Sequence, residues 1–310
     1  RSPAPAPLPA LTELSRAAGG ERWHMREDMP AKVRGTLAYM TDVRAEGMLV
    51  GRILRAAHPH AEILAIDTTA AEALPGVRAV VTHRDVPGLN AFGILFQDQP
   101  ALCSDRVRYL GDAVAAVAAI DAETAERALA LIRVDYRPLP LVEDMEAALA
   151  PGAPPVHAAG NLVTEVGLSR GDLAAGFAAA VHVVEDSYVT PRQMHGFMET
   201  EGGWAAPEGE GVIVCAGGQH GARDRMQLAR ILALPEDRIR VVTSPTGGAF
   251  GGKDELTVQP ALALLALKAR APVRLHLSRA ESVLAGTKRN PFVIRMRTGC
   301  DAEGRLLAQE

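Results

Sequence analysis

The sequence predicts an α+β protein built in two parts, and three features carry that prediction. Its 310 residues are enough for two domains with substantial cores. Short β-branched runs alternate along it with helical stretches, so neither type of element dominates. A Pro/Gly/Ala-rich connection, LAPGAPPVHAAGN (149–161), interrupts the pattern near the middle. The expected parts are a tail or linker over 1–30, a first domain over 31–148, the 149–161 linker and a second domain over 162–310.

The opening, RSPAPAPLPALTELSRAAGG, lacks the apolar stretch of a signal peptide and reads as an extended tail. Because it begins with Arg1, an original start further upstream is expected. KVRGTLAYMTDV (32–43) and GMLVGRILRA (47–56) mix β-branched and aromatic residues and predict strands. AEILAID and VRAVVTHRDVPG follow the same grammar, with TTAAEAL a short helix between them. In 112–140 an apolar strand leads into the helix DAETAERALALI, with Asp121 and Thr124 near its start, and then into the strand IRVDY, stopped at Pro138.

Beyond the linker, AAVHVVEDSYVT and GVIVCAGG predict strands. GARDRMQLARILAL predicts an amphipathic helix with Met226, Ala229, Leu232 and Ala233 on its apolar side. DRIRVVTSP is a strand. TVQPALALLALKAR is a strongly apolar helix with Pro260 in its first turn and Lys268 and Arg270 at its end. PVRLHLSR and FVIRMRTG are further strands, and CDAEGRLLAQE opens a hairpin.

Bulk properties exclude several classes. The residues are 48% hydrophobic and 23% charged, with a net charge of -4, so no global field draws the chain to nucleic acid or anionic lipid. No apolar run reaches the roughly 18 residues of a membrane span. The three cysteines, Cys103, Cys215 and Cys300, are far apart and suit reduced thiols in a cytoplasmic protein better than a disulfide, zinc or iron–sulfur framework.

One stretch carries the chemistry: TGGAFGGKDE (246–255), between a strand and a helix. It contains G-x-x-x-x-G-K, the opening of a phosphate-binding P-loop. Asp254, however, stands where a P-loop needs Ser or Thr for magnesium, and a carboxylate there repels phosphate. ILAID imitates the acidic partner strand but lies well upstream. A plain tight turn is the simplest alternative, since glycine supplies positive φ. A third reading is a cradle for another anionic ligand, with side chains removed so that backbone N–H groups approach it and Phe250 packing against it.

GGAFGGKD, preceded by GGQHGARDRMQLARILALPEDRIRVV, resembles the molybdenum hydroxylases of the xanthine dehydrogenase and aldehyde oxidase family. The likeness extends to HPHAEILAID, LPGVRAVVTHRDVPG, RVRYLGDAVAAVAA and VDYRPLP, which resemble the family's α/β-hammerhead domain. QMHGFMETEGGWA and RAESVLAGTKRNPFVIRMRTG resemble its molybdopterin-binding domain. The resemblance implies a hammerhead domain followed by the first half of a molybdopterin-binding α+β domain.

It also implies roles. Gln219 is expected to hydrogen-bond an oxo ligand of molybdenum rather than bind the metal. Phe250 and Gly251 are expected to contact the cofactor near the metal, with Gly248, Ala249 and Gly252 completing the loop. Ala249 stands where many relatives have glycine. Asp254 matches a substrate-binding carboxylate of purine hydroxylases; on its own chemistry it is equally a helix-start carboxylate. Gln193, His195 and Glu199 are expected on an alternating strand, in structural hydrogen bonds behind the cofactor. Lys253 is expected to touch a phosphate or pair with a neighbour, and His58 and His60 to be structural.

The resemblance implies hydroxylation of an electron-poor C–H carbon with oxygen from water, expected here on a purine such as hypoxanthine or xanthine. Another N-heterocycle, an aldehyde, or a non-catalytic assembly or cofactor-handling role are the alternatives. The implied cofactor is molybdopterin with Mo, in its cytosine dinucleotide form, with 2Fe-2S and FAD on partner subunits or domains. The family's base glutamate lies beyond the equivalent of residue 310, so no catalytic residue is expected here. The chain alone is expected to be incomplete and inactive without the remaining half of the molybdenum subunit.

Overall fold

A computed structural model describes residues 28–310, so nearly all of the expected 1–30 tail lies outside the described residues. Residues 28–38 hold one short helix, α1 (Met29–Arg34), which starts on a proline in its first turn and stops at Gly35, φ +69°. The strand expected over 32–43 is therefore absent. Pro30 and Gly35 punctuate a helical turn, and Met40–Asp42 form a 3₁₀ turn in which the Asp42 carboxylate accepts from the Tyr39 N–H.

From Tyr39 onward the strands in chain order are β1 (Leu49–Arg55), β2 (Ala61–Asp67), β3 (Val77–Thr82), β4 (Arg106–Val107) and β5 (Ala113–Ala119). Next come β6 (Arg133–Pro138), β7 (His182–Thr190), β8 (Gln193–Met194), β9 (Gly202–Glu208) and β10 (Gly211–Ala216). The series ends with β11 (Ile239–Thr243), β12 (Val273–His276), β13 (Lys288–Arg289), β14 (Phe292–Cys300) and β15 (Leu306–Gln309). The helices are α2 (Thr69–Glu72), α3 (Ala122–Leu131), α4 (Met145–Leu149), α5 (Leu173–Ala179), α6 (Gly221–Leu232), α7 (Gln259–Ala269) and α8 (Arg279–Ala285).

A mixed seven-stranded sheet, ordered β11-β10-β9-β12-β1-β5-β3, is the frame. It takes strands from both sides of the 149–161 segment, joined where β1 runs parallel to β12 through Leu49–Val273 and Val50–Arg274. Strand β5, AVAAVAA, is buried along almost its whole length because both sheet faces are covered. Ala116 and Ala118 enter one core cluster; Ala115 and Val117 enter the other.

Helix α7 lies in the first cluster, with every residue from Gln259 to Ala266 buried, the mark of a helix surrounded by protein. Pro260 fits its first turn, where the missing N–H has no partner to lose. Helix α3 covers the second cluster, capped by the Asp121 carboxylate accepting from the Thr124 N–H at 2.7 Å. Three smaller sheets, β4-β2-β6, β15-β14-β7 and the two-stranded β13-β8, complete the fold among the described residues, and every residue of β7 is exposed.

The inner face of α6 differs from the expected one. It buries Asp224, Gln227, Leu228, Ile231 and Leu232, whereas Met226 and Ala229 are half-buried and Ala233 is exposed. Two polar side chains turn inward because both find partners. Gln259 Nε2 donates to Asp224, while Gln227 accepts from the Gly93 N–H at 2.7 Å and donates to Glu255.

Leu265 of α7 is fully buried in the first cluster. Leu265→Ala is expected to destabilise the chain by about 2–5 kcal/mol, read as a lower urea midpoint at constant m. A change below about 0.5 kcal/mol, the size typical of a surface site, counts against α7 as the centre of the core.

Candidate functional site

The loop after β11 carries three positive φ values within four residues: Gly248 (+97°), Phe250 (+53°) and Gly251 (+94°). Glycine accepts such angles freely, but Phe250 holds the left-handed conformation at a cost of roughly 1–2 kcal/mol. Phe250 is 74% exposed, so its burial does not offset that cost. Gly247 and Gly252 serve close approach instead. A Cβ on Gly252 would lie 2.7 Å from both His195 Nδ1 and Phe197 Cε1, and one on Gly247 would lie 2.7 Å from Glu199 Cβ.

Glu199 anchors both ends of this loop. Its N–H donates to Gly247 O at 3.2 Å and its Oε2 accepts from Gly247 N at 2.8 Å. Lys253 Nζ donates to Glu199 O at 2.8 Å and lies 3.4 Å from Glu199 Oε2, with the Phe197 ring centroid 4.7 Å away. The lysine side chain is essentially buried, so it is committed to a neighbour and not turned outward. Burial lowers its pKa, and the Glu199 charge opposes that shift. His195 and Glu199 lie in the 195–201 segment, not on an alternating strand; only Gln193 and Met194 are paired, against β13. The reason is local: the Glu199 backbone bonds to Gly247 and Lys253, which removes it from any strand ladder.

The turn between β10 and α6 grips the other side of the loop. Gln219 N–H donates to Lys253 O at 3.1 Å, and Gln219 Oε1 accepts from the Gly251 N–H at 3.0 Å. Because the amide oxygen is occupied by a donor, the outward polar end of this exposed side chain is its NH₂. Asp254 Oδ1 lies 2.8 Å from His220 Nε2, both side chains half exposed. Asp254 is not in the first turn of the following helix, which starts at Gln259; the intervening 255–258 segment separates them.

The N–H groups of Gly248, Ala249 and Phe250 make no hydrogen bond to any described residue. Three consecutive free donors, glycines that keep side chains away, and the Gln219 NH₂ suit a phosphate-bearing anionic ligand. Glu199 Oε1 and His195 Nδ1 are buried behind the loop without a partner among the described residues. The pterin cofactor therefore fits the donor set, and a magnesium nucleotide does not, since Asp254 offers no hydroxyl. No cluster of three metal-ligating side chains exists among the described residues. His60 Nδ1 meets Pro140 O at 2.7 Å and His58 lies edge-on to Tyr136, which makes this pair structural. Among the described residues no helix is long and apolar enough to cross a membrane.

Residues 156–310 match the family described as "Molybdopterin cofactor-binding domain", and residues 34–140 match "Aldehyde oxidase and xanthine dehydrogenase, a/b hammerhead domain". The chain belongs to the xanthine dehydrogenase and aldehyde oxidase family. It is 54% identical over 287 residues to one subunit of a "Probable xanthine dehydrogenase" of Bacillus subtilis (strain 168), covering 92% of this chain and 38% of that protein. It is 38% identical to "Nicotinate dehydrogenase large molybdopterin subunit" of Eubacterium barkeri, covering 92% of this chain and 67% of that protein. Its fold superimposes on aldehyde oxidoreductase from Desulfovibrio gigas with a TM-score of 0.86 at 29% identity, over 92% of this chain and 33% of that one. Quinoline 2-oxidoreductase from Pseudomonas putida 86 gives 0.84 at 32% identity, over 92% and 38%. The hammerhead and molybdopterin-binding domains thus follow one another as the sequence implies.

Two features of the site escaped the sequence reading. One is His220 facing Asp254, visible in sequence only as the residue after Gln219. The other is Asp224, buried on α6 at 2% exposure and hydrogen-bonded by Gln259 at 3.3 Å. Burial pushes the Asp224 carboxyl up to about 6, with the Gln259 hydrogen bond pulling down and the Glu255 charge pushing up. The folded chain therefore holds this proton more tightly than the unfolded one. The resulting stability is present below about pH 4 and lost as pH rises through the folded value. Against Asp224→Asn, the native chain is expected to lose on the order of 2–3 kcal/mol between about pH 4 and 8. Urea midpoints across that range check this, and parallel pH profiles for the two proteins contradict it.

Proposed function

We propose that this chain forms the cofactor-cradling part of a molybdenum hydroxylase that acts on an N-heterocycle of the purine type. The observation that carries the substrate class is Asp254. It stands at the rim of the cradle, half exposed, with Oδ1 beside His220 and Oδ2 bonded to no described residue. A free carboxylate oxygen accepts a ring N–H and offers little to an apolar aldehyde. The similarity to the Bacillus and Eubacterium proteins, named for xanthine and nicotinate, points the same way.

In this reading the N–H groups of Gly248, Ala249 and Phe250 would hold the anionic cofactor, with Phe250 and Gly251 in contact with it. Gln219, its oxygen fixed by Gly251, would hydrogen-bond an oxygen of the bound group through its NH₂. Gly252 and Ala249 close the turn that keeps these donors aligned, through Gly252 N–H to Ala249 O at 2.8 Å. When bound, molybdopterin supplies the electron sink and activates the water-derived oxygen for C–H hydroxylation. The cofactor is proposed in its cytosine dinucleotide form with FAD on partner subunits or domains, as the family resemblance implies, and 2Fe-2S is placed there too because this chain's cysteines are isolated and mostly buried.

Asp254→Ala in the complete assembly is expected to lower kcat/KM for a purine about ten- to a hundredfold, the worth of a charge-assisted hydrogen bond. Aldehyde turnover is expected to fall far less. Steady-state kinetics on both substrate types check this, and equal losses contradict the purine assignment.

A further inference from the structure

Helix α6 begins badly by local rules. Its N-cap is His220, which makes no side-chain cap, although Ser, Thr, Asp and Asn are the residues that satisfy a helix start. A residue ill-suited to its position marks a place where something other than folding selects it. The side chain that fails to cap the helix reaches across to Asp254 instead, with Nε2 at 2.8 Å from Oδ1.

The setting of this contact is specific. Gln219 and His220 are consecutive, and they grip three points of one short stretch: Gly251 N–H, Lys253 O and the Asp254 carboxylate. Lys253 is tied beneath by Glu199, so the Asp254 backbone is held from below and from the side. Only its carboxylate is free to turn, and it lies in partly exposed surroundings where rotation costs little. With Oδ1 placed against His220, the plane of the carboxylate is defined and Oδ2 is the oxygen left to accept from a ligand.

We propose that His220 is a positioning residue for substrate recognition, holding Asp254 so that one oxygen is presented to a ring N–H of an N-heterocyclic substrate. This inference rests on the Asp254 reading given under Proposed function. His220 acts on how well the heterocycle is bound, and not on the chemical step or on cofactor retention.

The test compares the complete assembly with His220→Asn, Asp254→Ala and the double variant, using xanthine as the probe. Asn is a good N-cap, so His220→Asn keeps or improves the helix start while withdrawing the reach to Asp254. A half-exposed polar contact sets the scale. His220→Asn is expected to raise KM for xanthine roughly three- to fivefold, with kcat and molybdenum content unchanged. In the Asp254→Ala background the same substitution is expected to do nothing further. An unchanged KM in His220→Asn, or an effect of equal size with and without Asp254, overturns the proposal. If Asp254→Ala itself leaves xanthine kinetics unaltered, the Asp254 reading fails first, and that outcome is distinguishable because it does not involve His220.

Discussion

The buried contact between Glu199 and Lys253 is what the candidate site depends on. A single glutamate ties Gly247 at one end of the glycine loop and Lys253 at the other, through both its backbone and its carboxylate. Taking a lysine and a glutamate out of water costs several kcal/mol, and a good mutual geometry with added hydrogen bonds is needed to offset it. Here the gain is conformational. With its two ends pinned, the loop holds Phe250 in a strained left-handed conformation and leaves the N–H groups of Gly248, Ala249 and Phe250 free of partners among the described residues. Free donors on a rigid backbone serve a bound anion.

The frame that sets this loop in place is the seven-stranded sheet with α7 buried against it. Strand β11 feeds the loop, β10 feeds the turn that bears Gln219 and His220, and α7 leads away from Asp254 into the core. Loop, turn and anchor thus converge from three parts of the sequence onto one end of adjacent strands. Buried polar contacts stiffen the junction: Asp224 on α6 meets Gln259 at the start of α7, and Gln227 meets both Gly93 and Glu255. Stability and site share these side chains, so substitutions there act on both.

Much of this was legible in the sequence where local physics decides the outcome. Asp121 capping α3, Pro260 opening α7 and the alternating apolar runs of the strands each have a short-range cause. The glycine loop stood out because its composition has no cheap structural explanation, and its likeness to a P-loop ended at Asp254. What sequence could not give were effects that depend on partners distant along the chain. The face of α6 was misjudged because Asp224 and Gln227 are turned inward by Gln259, Gly93 and Glu255. Residues 195–201 read as alternating, yet Glu199 commits its backbone to the loop. The stretch 32–43 has strand-like residues, but Pro30 and Gly35 frame a helical turn at its start. The pairing of His220 with Asp254 joins positions 34 apart in number, with no pattern to announce it.

We propose that the loop pinned by Glu199 is a cradle for a molybdenum cofactor, and metal content measures this directly. The native assembly containing this chain is expected to hold about one molybdenum per copy, as a single resident cofactor requires. Glu199→Gln keeps the side chain's shape but leaves the Lys253 charge buried without its counter-ion, so molybdenum is expected to fall well below that level. An active native assembly without molybdenum, or a variant that retains it in full, contradicts the account.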